Sequence, residues 1–385
     1  MLTRRTYNLL LLAWCFFTFI FCGRADKKTP GGPKKILVAQ LAKMGDMVCT
    51  TPMFRVIKKK YPDSKLYVMG DVVNKELLSS NKDVDGYIVF EKDFKKMTGI
   101  LSREKFDFAA LTGPSPETLF LLYLSGIPHI AAPSLEGGFS PVNTRSYKLL
   151  LRLVSSRPHK IGNYAPREYL RLLEEIGIFA DDTRKYLNYS EGAQKKVLQF
   201  YQEQGIEERD LVVGIFPSTG NKIKLWGRDK FAKVADSLYE KYNAKIILIG
   251  SGSDKKEGDE FLANLSPSTK IINAFGAFNI DELKAAISKM SILISVDTGP
   301  IYIAEAFDVG TVDIVGPVDE NDQPPRGERH RIAVAPRKRH EMGVFNARVY
   351  NEKEARRQSD DISAEMVLNE TEELIKVLNR PSRFR

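Results

Sequence analysis

The sequence predicts an α/β protein made of two doubly wound parallel sheets and preceded by an N-terminal hydrophobic helix. First, 385 residues exceed what one hydrophobic core usually supports, so two domains are the default. Second, short apolar runs alternate with amphipathic stretches, which is typical of parallel strands joined by helices. Third, an apolar segment stands at the N-terminus.

Residues 9–22 are almost wholly apolar and aromatic, and Arg4 and Arg5 precede them. A helix of about 14–16 residues rises only about 21–24 Å, short of a hydrocarbon core of about 30 Å, so we expect a tilted or interfacial anchor. The lysines and arginine that follow, at 24, 27, 28, 34 and 35, favour a cytoplasmic location for the rest of the chain. A cleaved signal peptide is the alternative. Residues 1–33 are thus predicted to be a hydrophobic anchor and a linker.

The first domain is predicted to span residues 34–165. An apolar strand at 36–39 ends in a glycine turn at Gly45, and Asp46 then precedes a helix with apolar residues at helical spacing. Further strands are predicted at 65–69, 87–90 and 106–111. Ligands of open α/β sheets bind outside the carboxyl ends of the strands, so Asp46 is a candidate functional carboxylate. The structural alternative for Asp46 is a helix N-cap.

Residues 166–209 are predicted to connect the domains, with amphipathic helices at 164–176 and 190–204. The second domain is predicted to span 210–320, with strands at 211–216, 245–249, 270–272, 292–296 and 311–314. Residues 321–385 are interpreted as a basic loop or short exposed hairpin followed by a C-terminal helix. Solvation is the usual meaning of such charge, and contact with an anionic substrate or membrane phosphate is the alternative.

The strand at 292–296 runs directly into Asp297, Thr298 and Gly299, after which a helical pattern begins. Thr298 can cap this helix, and Gly299 lets a ligand approach the backbone. The free N–H groups and the positive end of the helix dipole then favour an anionic ligand. An ordinary capped turn is the structural alternative, in which Asp297 has only an Asx-type role.

Three segments together resemble glycosyltransferase family 9, the lipopolysaccharide heptosyltransferases and their relatives. Residues 45–52 match the family's Gly-Asp turn and Thr-Pro helix, and residues 297–299 match its Asp-Ser/Thr-Gly strand end. Residues 218–226 resemble its small-polar loop followed by Lys-x-Trp. The resemblance covers roughly residues 34–320. It implies the GT-B fold, in which two Rossmann-like domains face a central cleft.

The resemblance also implies an activity: inverting, metal-independent transfer of a sugar, most simply heptose from an ADP-heptose-type donor. The implied acceptor is lipopolysaccharide core or a related anionic glycolipid or polysaccharide, at the cytoplasmic face of the inner bacterial membrane, with no cofactor. Asp46 is the implied catalytic base, with Gly45 in the acceptor-side turn. The implied donor-binding residues are Ser218, Thr219, Lys224, Phe278, Asp297, Thr298, Gly299 and Tyr302.

Two departures from the family pattern leave the donor open. Tyr302 stands where the family commonly has His, and Val318 stands where it often has Thr. For Phe278 a place in the core competes with a role against the adenine. Two other functions stay open from the sequence alone: a non-catalytic nucleotide-sugar-binding protein at the membrane, and a GT-B sugar-nucleotide epimerase.

The composition of the chain indicates which classes of partner and cofactor are expected. The net charge of +9 suggests an acidic partner, but no nucleic-acid module or basic stripe interleaved with aromatics is present, so nucleic acid is not expected. The three cysteines suggest no disulfide framework, and the four histidines have no metal-ligand spacing. Asp83 and Asp85 could hold a divalent cation but are interpreted as a solvated turn. No metal is therefore expected.

Overall fold

The computed structural model describes residues 32–379, together with Leu12, Ala13, Cys15 and Phe17. The predicted hydrophobic anchor of residues 1–33 therefore lies largely outside the described residues. Among those that are described, no helix has both the length and the apolar character needed to cross a bilayer.

The chain forms two compact units, each of which contains more than one stretch of the sequence. The first unit contains the chain up to Lys75, Asn81–Arg184 and Val344–Arg348, whereas the second contains Glu76–Ser80, Lys185–Gly343 and the chain from Val349 onward. The segment predicted to connect the domains, 166–209, is thus divided between them at Arg184.

The first unit is built on a six-stranded parallel sheet in the order β3-β2-β1-β4-β5-β6. Its strands are β1 (Lys35–Ala39), β2 (Lys65–Gly70), β3 (Gly86–Val89), β4 (Phe108–Leu111), β5 (His129–Glu136) and β6 (Ser155–Lys160). The helices are α1 (Met44–Lys60), α2 (Val72–Leu77), α3 (Phe94–Glu104), α4 (Pro116–Leu124), α5 (Arg145–Leu150) and α6 (Ala165–Arg171), and the last two residues of α2 belong to the second unit. Short 3-10 turns follow at Leu151–Leu153 and Leu172–Ile176. Strand β1 is central and fully buried from Ile36 to Ala39, as expected for a parallel strand covered on both faces.

Two features of this unit correct the sequence interpretation. Helix α1 begins at Met44, so Gly45 and Asp46 lie in its first turn and do not precede it. Strands β5 and β6 were not predicted, because β5 contains Pro133 and β6 is largely polar, so neither has the apolar run that indicates a buried strand. The Tyr147 hydroxyl donates to the Pro133 carbonyl at 2.7 Å and ties α5 to this edge of the sheet.

The second unit has a second six-stranded parallel sheet, in the order β12-β11-β10-β7-β8-β9. Its strands are β7 (Val212–Phe216), β8 (Lys245–Gly250), β9 (Ile271–Phe275), β10 (Ile292–Val296), β11 (Gly310–Ile314) and β12 (His330–Ala333). The helices are α7 (Glu191–Glu203), α8 (Arg228–Tyr242), α9 (Lys255–Ala263), α10 (Ile280–Ile287), α11 (Gly299–Ala306), α12 (Glu352–Asp360) and α13 (Ala364–Leu378), with 3-10 turns at Lys222–Lys224 and Gly252–Asp254. The two doubly wound domains of the prediction are confirmed.

The region predicted to be a basic loop is partly regular structure. Strand β12 pairs in parallel with β11, with Thr311 opposite His330, and α12 follows at Glu352. Arg337 is drawn inward, since its guanidinium donates to the carbonyls of Gly316 and Val318. The Arg337 guanidinium therefore satisfies backbone carbonyls inside the domain. The many charged residues of this region hid the edge strand β12 in the sequence.

Candidate functional site

The second unit brings two turns side by side. Strands β7 and β10 are neighbours, and Ser295 lies opposite Phe216, so the segments after Phe216 and after Val296 leave the sheet at the same edge. The first of these segments leads through Ser218 and Thr219 to the 3-10 turn containing Lys224. This juxtaposition at the carboxyl ends of the strands is the usual place for a ligand in such a sheet.

Lys224 and Asp297 form an ion pair at this edge. The Lys224 ammonium lies 2.5 Å from Asp297 Oδ2 and 3.1 Å from the Asp297 carbonyl oxygen. The Asp297 side chain is only 6% exposed, while that of Lys224 is 19% exposed. The sequence prediction that both residues belong to one site is consistent with this geometry, which leaves the ammonium at the more accessible side of the pair.

Tyr302 holds the other oxygen of the same carboxylate. Its hydroxyl, five residues further along on α11, donates to Asp297 Oδ1. Both carboxylate oxygens of Asp297 therefore accept a hydrogen bond, one from a neutral donor and one from a cation, which restricts rotation of the carboxylate. Tyr302 is 3% exposed, so its hydroxyl does this inside the domain. Tyr302, which departs from the family pattern, thus positions Asp297, which matches it.

Helix α11 begins at Gly299, with Thr298 at the N-cap position. Contrary to the expectation that Thr298 caps the helix, its side chain makes no capping hydrogen bond. A capping side chain bonds the N–H of the second or third helical residue, and the second here is Pro300, which has none. The N–H of the third residue, Ile301, donates instead to the Thr298 carbonyl at 3.1 Å, so the Thr298 hydroxyl has no role as a cap.

Ser218 and Thr219 are both buried, at 1% and 5% exposure. Thr219 Oγ1 accepts a long hydrogen bond of 3.4 Å from the Asn221 N–H. Ser218 Oγ has no hydrogen-bond partner among the described residues. An unsatisfied buried hydroxyl costs about 1–3 kcal/mol, which a ligand accepting its hydrogen bond would offset.

Phe278 lies apart from this group in the contacts that the structure describes. It is half-buried in the segment between β9 and α10 and packs edge-on against Phe200, with ring centroids 5.1 Å apart. No described contact joins it to Lys224 or Asp297. Its predicted role beside an adenine remains a prediction.

Asp46 is in the first unit and is half-buried. Its Oδ2 accepts from the Lys43 N–H at 3.2 Å, and Lys43, not Asp46, is the N-cap residue of α1. The Asp46 carbonyl accepts from Thr50 Oγ1 at 2.8 Å, and Gln40 Nε2 donates to that same Thr50 oxygen at 3.1 Å. Gly45 is buried beside it. These bonds fix the turn that presents the Asp46 carboxylate.

Three ionisable residues near Asp297, namely Lys185, Glu305 and Asp313, were not predicted from the sequence. Lys185, whose side chain is fully buried, pairs with Glu305 and lies 5.4 Å from the centre of the Tyr302 ring. Asp313 is fully buried on β11, and neither of its carboxylate oxygens has a hydrogen-bond partner among the described residues. The available signal was a single aspartate inside the otherwise apolar run 311–315.

One cluster in the described part of the chain has the composition of a metal site. One ligand atom from each of Asp319, Glu320 and His340 lies within 4.8 Å of the others. The Asp83 and Asp85 pair does not form such a group. Burial opposes ionisation of Asp85, but hydrogen bonds led by that from Lys58 outweigh it and lower the pKa of Asp85 to about 2. Asp85 is therefore engaged within the first unit.

Comparison with known proteins defines the family. The family model for glycosyltransferase family 9 (heptosyltransferase) matches residues 142–347, more than half of the chain. The chain belongs to glycosyltransferase family 9. This family 9 protein is accordingly a glycosyltransferase, and the resemblance inferred from three short segments is confirmed.

Similar curated proteins carry consistent names. The family 9 chain is 24% identical to lipopolysaccharide heptosyltransferase 3 of Escherichia coli K12 over 283 residues, which is 71% of this chain and 80% of that protein. It is 24% identical to lipooligosaccharide heptosyltransferase 2 of Haemophilus influenzae over 313 residues, covering 77% of this chain and 87% of that one.

Solved structures support the fold. A family 9 glycosyltransferase from Veillonella parvula superposes with a TM-score of 0.71 at 21% identity, covering 89% of this chain and 98% of that chain. The ADP-heptose lps heptosyltransferase II of E. coli superposes with a TM-score of 0.70 at 20% identity, covering 89% and 99%. The GT-B prediction for this family 9 enzyme is thereby confirmed at the level of fold.

Proposed function

We propose that this enzyme transfers a sugar, heptose in the first instance, from an ADP-linked donor to the core of lipopolysaccharide or a related anionic glycolipid or polysaccharide. The transfer inverts the anomeric centre and uses neither a metal nor a cofactor. The observation that carries the proposal is the arrangement of Lys224, Asp297 and Tyr302 beside the N-terminus of α11.

The donor side must stabilise a leaving nucleoside diphosphate, on which negative charge grows as the glycosidic bond breaks. Lys224 supplies a cation, and the N-terminus of α11 supplies the Gly299 N–H and the positive end of the helix dipole, so that little reorganisation is needed at the moment of reaction. The hydroxyls of Ser218 and Thr219 complete this set. Asp297, with its carboxylate held by Tyr302, accepts hydrogen bonds from sugar hydroxyls. These groups provide charge stabilisation without requiring a divalent cation.

The acceptor side must remove a proton from the attacking hydroxyl. A carboxylate is the ordinary general base for this step, and Asp46 presents one from a turn fixed by Gln40 and Thr50. The acceptor oxygen attacks the anomeric carbon as the diphosphate leaves, so a single displacement inverts the centre. The proton passes to Asp46, and the diphosphate leaves with the bonding electrons.

The names of the relatives support the donor and acceptor classes. Two structures of the E. coli heptosyltransferase WaaC contain ADP or ADP-2-deoxy-2-fluoro heptose, and the curated relatives are named for lipopolysaccharide or lipooligosaccharide. The net charge of +9 fits an anionic acceptor. With such an acceptor, the site of action is the cytoplasmic face of the inner bacterial membrane, and residues 1–33 serve as a hydrophobic anchor and linker.

A panel of nucleotide sugars tests the proposal. Purified enzyme is incubated with each sugar and a truncated lipopolysaccharide core, and transfer is followed by mass spectrometry. We expect transfer from ADP-heptose and an inverted linkage by NMR. Asp46→Asn should abolish turnover while sparing ADP binding, because only the proton acceptor is lost.

Asp93→Asn is the matched control. Asp93 accepts from the Lys96 N–H at the start of α3, and asparagine caps a helix as well as aspartate does, so its turnover should be unchanged. Near-normal kcat in Asp46→Asn would refute the assignment of the base. Transfer from a UDP-linked or GDP-linked sugar, with none from ADP-heptose, would refute the proposed donor.

A further inference from the structure

Asp313 occupies an unusual place behind the candidate donor site. It lies within β11, opposite Ser295 of β10. Ser295 precedes Asp297 by two residues. Its side chain is fully buried and its two oxygens have no hydrogen-bond partner in the described chain. Ser295 does not satisfy it, because the Ser295 hydroxyl bonds the carbonyls of Phe216 and Val296. A buried carboxylate without a partner is too costly to stay ionised.

Two ion pairs lie near Asp313 and interact with it electrostatically. One is Lys224 with Asp297, and the other is Lys185 with Glu305. Burial raises the pKa of Asp313 well above its ordinary value, and Asp297 and Glu305 raise it further, against the two lysines. His330 of β12 adds no charge at neutral pH, because burial, with Lys185 and Arg329 nearby, lowers its pKa to about 4. When Asp313 is protonated, the cluster formed by Asp313 and these two ion pairs holds two cations and two anions.

We propose that Asp313 is a positioning residue of the donor site, whose neutral carboxyl allows Lys224 to leave Asp297 for the diphosphate of the ligand. This inference rests on the proposed donor site. Were Asp313 ionised, two carboxylates would attract the Lys224 ammonium inward, and its transfer to a phosphate would leave two uncompensated buried anions. The proton on Asp313 removes one of those anions.

The proposal has a directional consequence for binding. When Lys224 moves away and a diphosphate arrives, Asp313 loses a nearby cation and gains a nearby anion, so its pKa in the complex is higher than in the free enzyme. Ligand binding therefore takes up a proton wherever Asp313 of the free enzyme is partly ionised. Affinity for the diphosphate should fall as pH rises through that range, by up to about tenfold for each pH unit.

Calorimetric titration of the full chain with ADP tests this inference. Binding is measured from about pH 6 to about pH 9.5, a range that covers the raised pKa values known for buried carboxyl groups. At each pH, two buffers of different ionisation enthalpy report the number of protons taken up. Three proteins are compared: the wild type, Asp313→Asn, and Asp236→Asn. Asp236 bonds the Ser266 N–H and the Thr269 hydroxyl, away from the cluster, and is the matched control.

We expect the wild type and Asp236→Asn to take up protons on binding ADP and to lose affinity at alkaline pH. Asp313→Asn should bind ADP at neutral pH with an affinity similar to that of the wild type and show neither the uptake nor the alkaline loss. A merely structural role of Asp313 would lower affinity at all pH values without changing proton uptake. ADP binding with the same proton uptake in wild type and Asp313→Asn would overturn the inference while leaving the donor site intact. Failure of ADP to bind the wild type at any pH would overturn the donor site and the inference together.

Discussion

Replacement of Lys224 by alanine is the most direct perturbation of the candidate donor site. It removes the ammonium that lies 2.5 Å from Asp297 Oδ2 and 3.1 Å from the Asp297 carbonyl. We expect two separate effects: weaker binding of the nucleoside diphosphate and a lower free energy of unfolding. The two effects have different causes, so they can be separated experimentally.

The size of each effect follows from the contacts. A hydrogen bond between an ammonium and a phosphate contributes about 1.5–3 kcal/mol, or roughly ten- to hundredfold in affinity. In the free enzyme Lys224 already bonds Asp297, so binding exchanges one anionic partner for another, and we expect about tenfold. Without Lys224, the Asp297 carboxylate, only 6% exposed, loses its cation. The free energy of unfolding should therefore fall by about 1–3 kcal/mol.

Calorimetry with ADP and urea denaturation measure the two quantities. The control is Lys222→Ala, because Lys222 is two residues away in the same 3-10 turn but pairs with Glu257 and is 64% exposed. It should change ADP affinity little. The double variant Lys224→Ala with Asp297→Asn should recover stability, because no unpaired charge remains, but not affinity. Wild-type ADP affinity in Lys224→Ala would refute the assignment of Lys224 to the donor site.

Three further results are expected. Asp313→Asn should gain free energy of unfolding relative to the wild type as pH rises above about 4, by up to about 1.4 kcal/mol per unit. The reason is that the raised folded-state pKa makes unfolding release a proton there, and a pH-independent difference in urea denaturation would contradict this. EDTA should leave the transfer rate unchanged, and a loss restored by a divalent cation would refute metal independence. Deleting residues 1–28 should spare transfer to a short soluble acceptor but slow it on acceptor embedded in anionic vesicles, where equal rates would refute the anchor.

The elements that the sequence predicted well are those with strong apolar runs. Strands β1, β7, β8 and β10 are rich in Val, Ile and Leu, which is typical of parallel strands buried on both faces. Strands β5, β6 and β12 lie at or near the edges of their sheets and carry Pro, Arg and His. Pro and charged residues interrupt the apolar run in these three strands, whereas the edge strands β3 and β9 keep such a run and were predicted.

The candidate site shows a similar division. Residues that lie in contiguous motifs, such as Lys224 and Asp297, could be named from the sequence because strand, turn and helix follow each other along the chain. Lys185, in the segment before α7, meets Glu305 of α11 and Asp313 of β11 only through the folding of the domain. A threonine before a helix usually caps it, but after Thr298 the second helical residue is Pro300, which has no N–H, and the Ile301 N–H bonds the Thr298 carbonyl.

The segment Glu76–Ser80 belongs to the second unit although the chain on both sides of it belongs to the first. Within the second unit, the carbonyl of Leu77 accepts from the fully buried Lys284 ammonium at 2.9 Å, and Ser80 Oγ bonds the Asp281 carboxylate at 3.3 Å. A gene fragment starting at residue 185 would therefore encode a domain whose interior lysine lacks that carbonyl. Chimeras that exchange domains between family members would have to carry residues 76–80 together with the C-terminal half. Recombination at a single junction therefore cannot transfer the whole of the second unit.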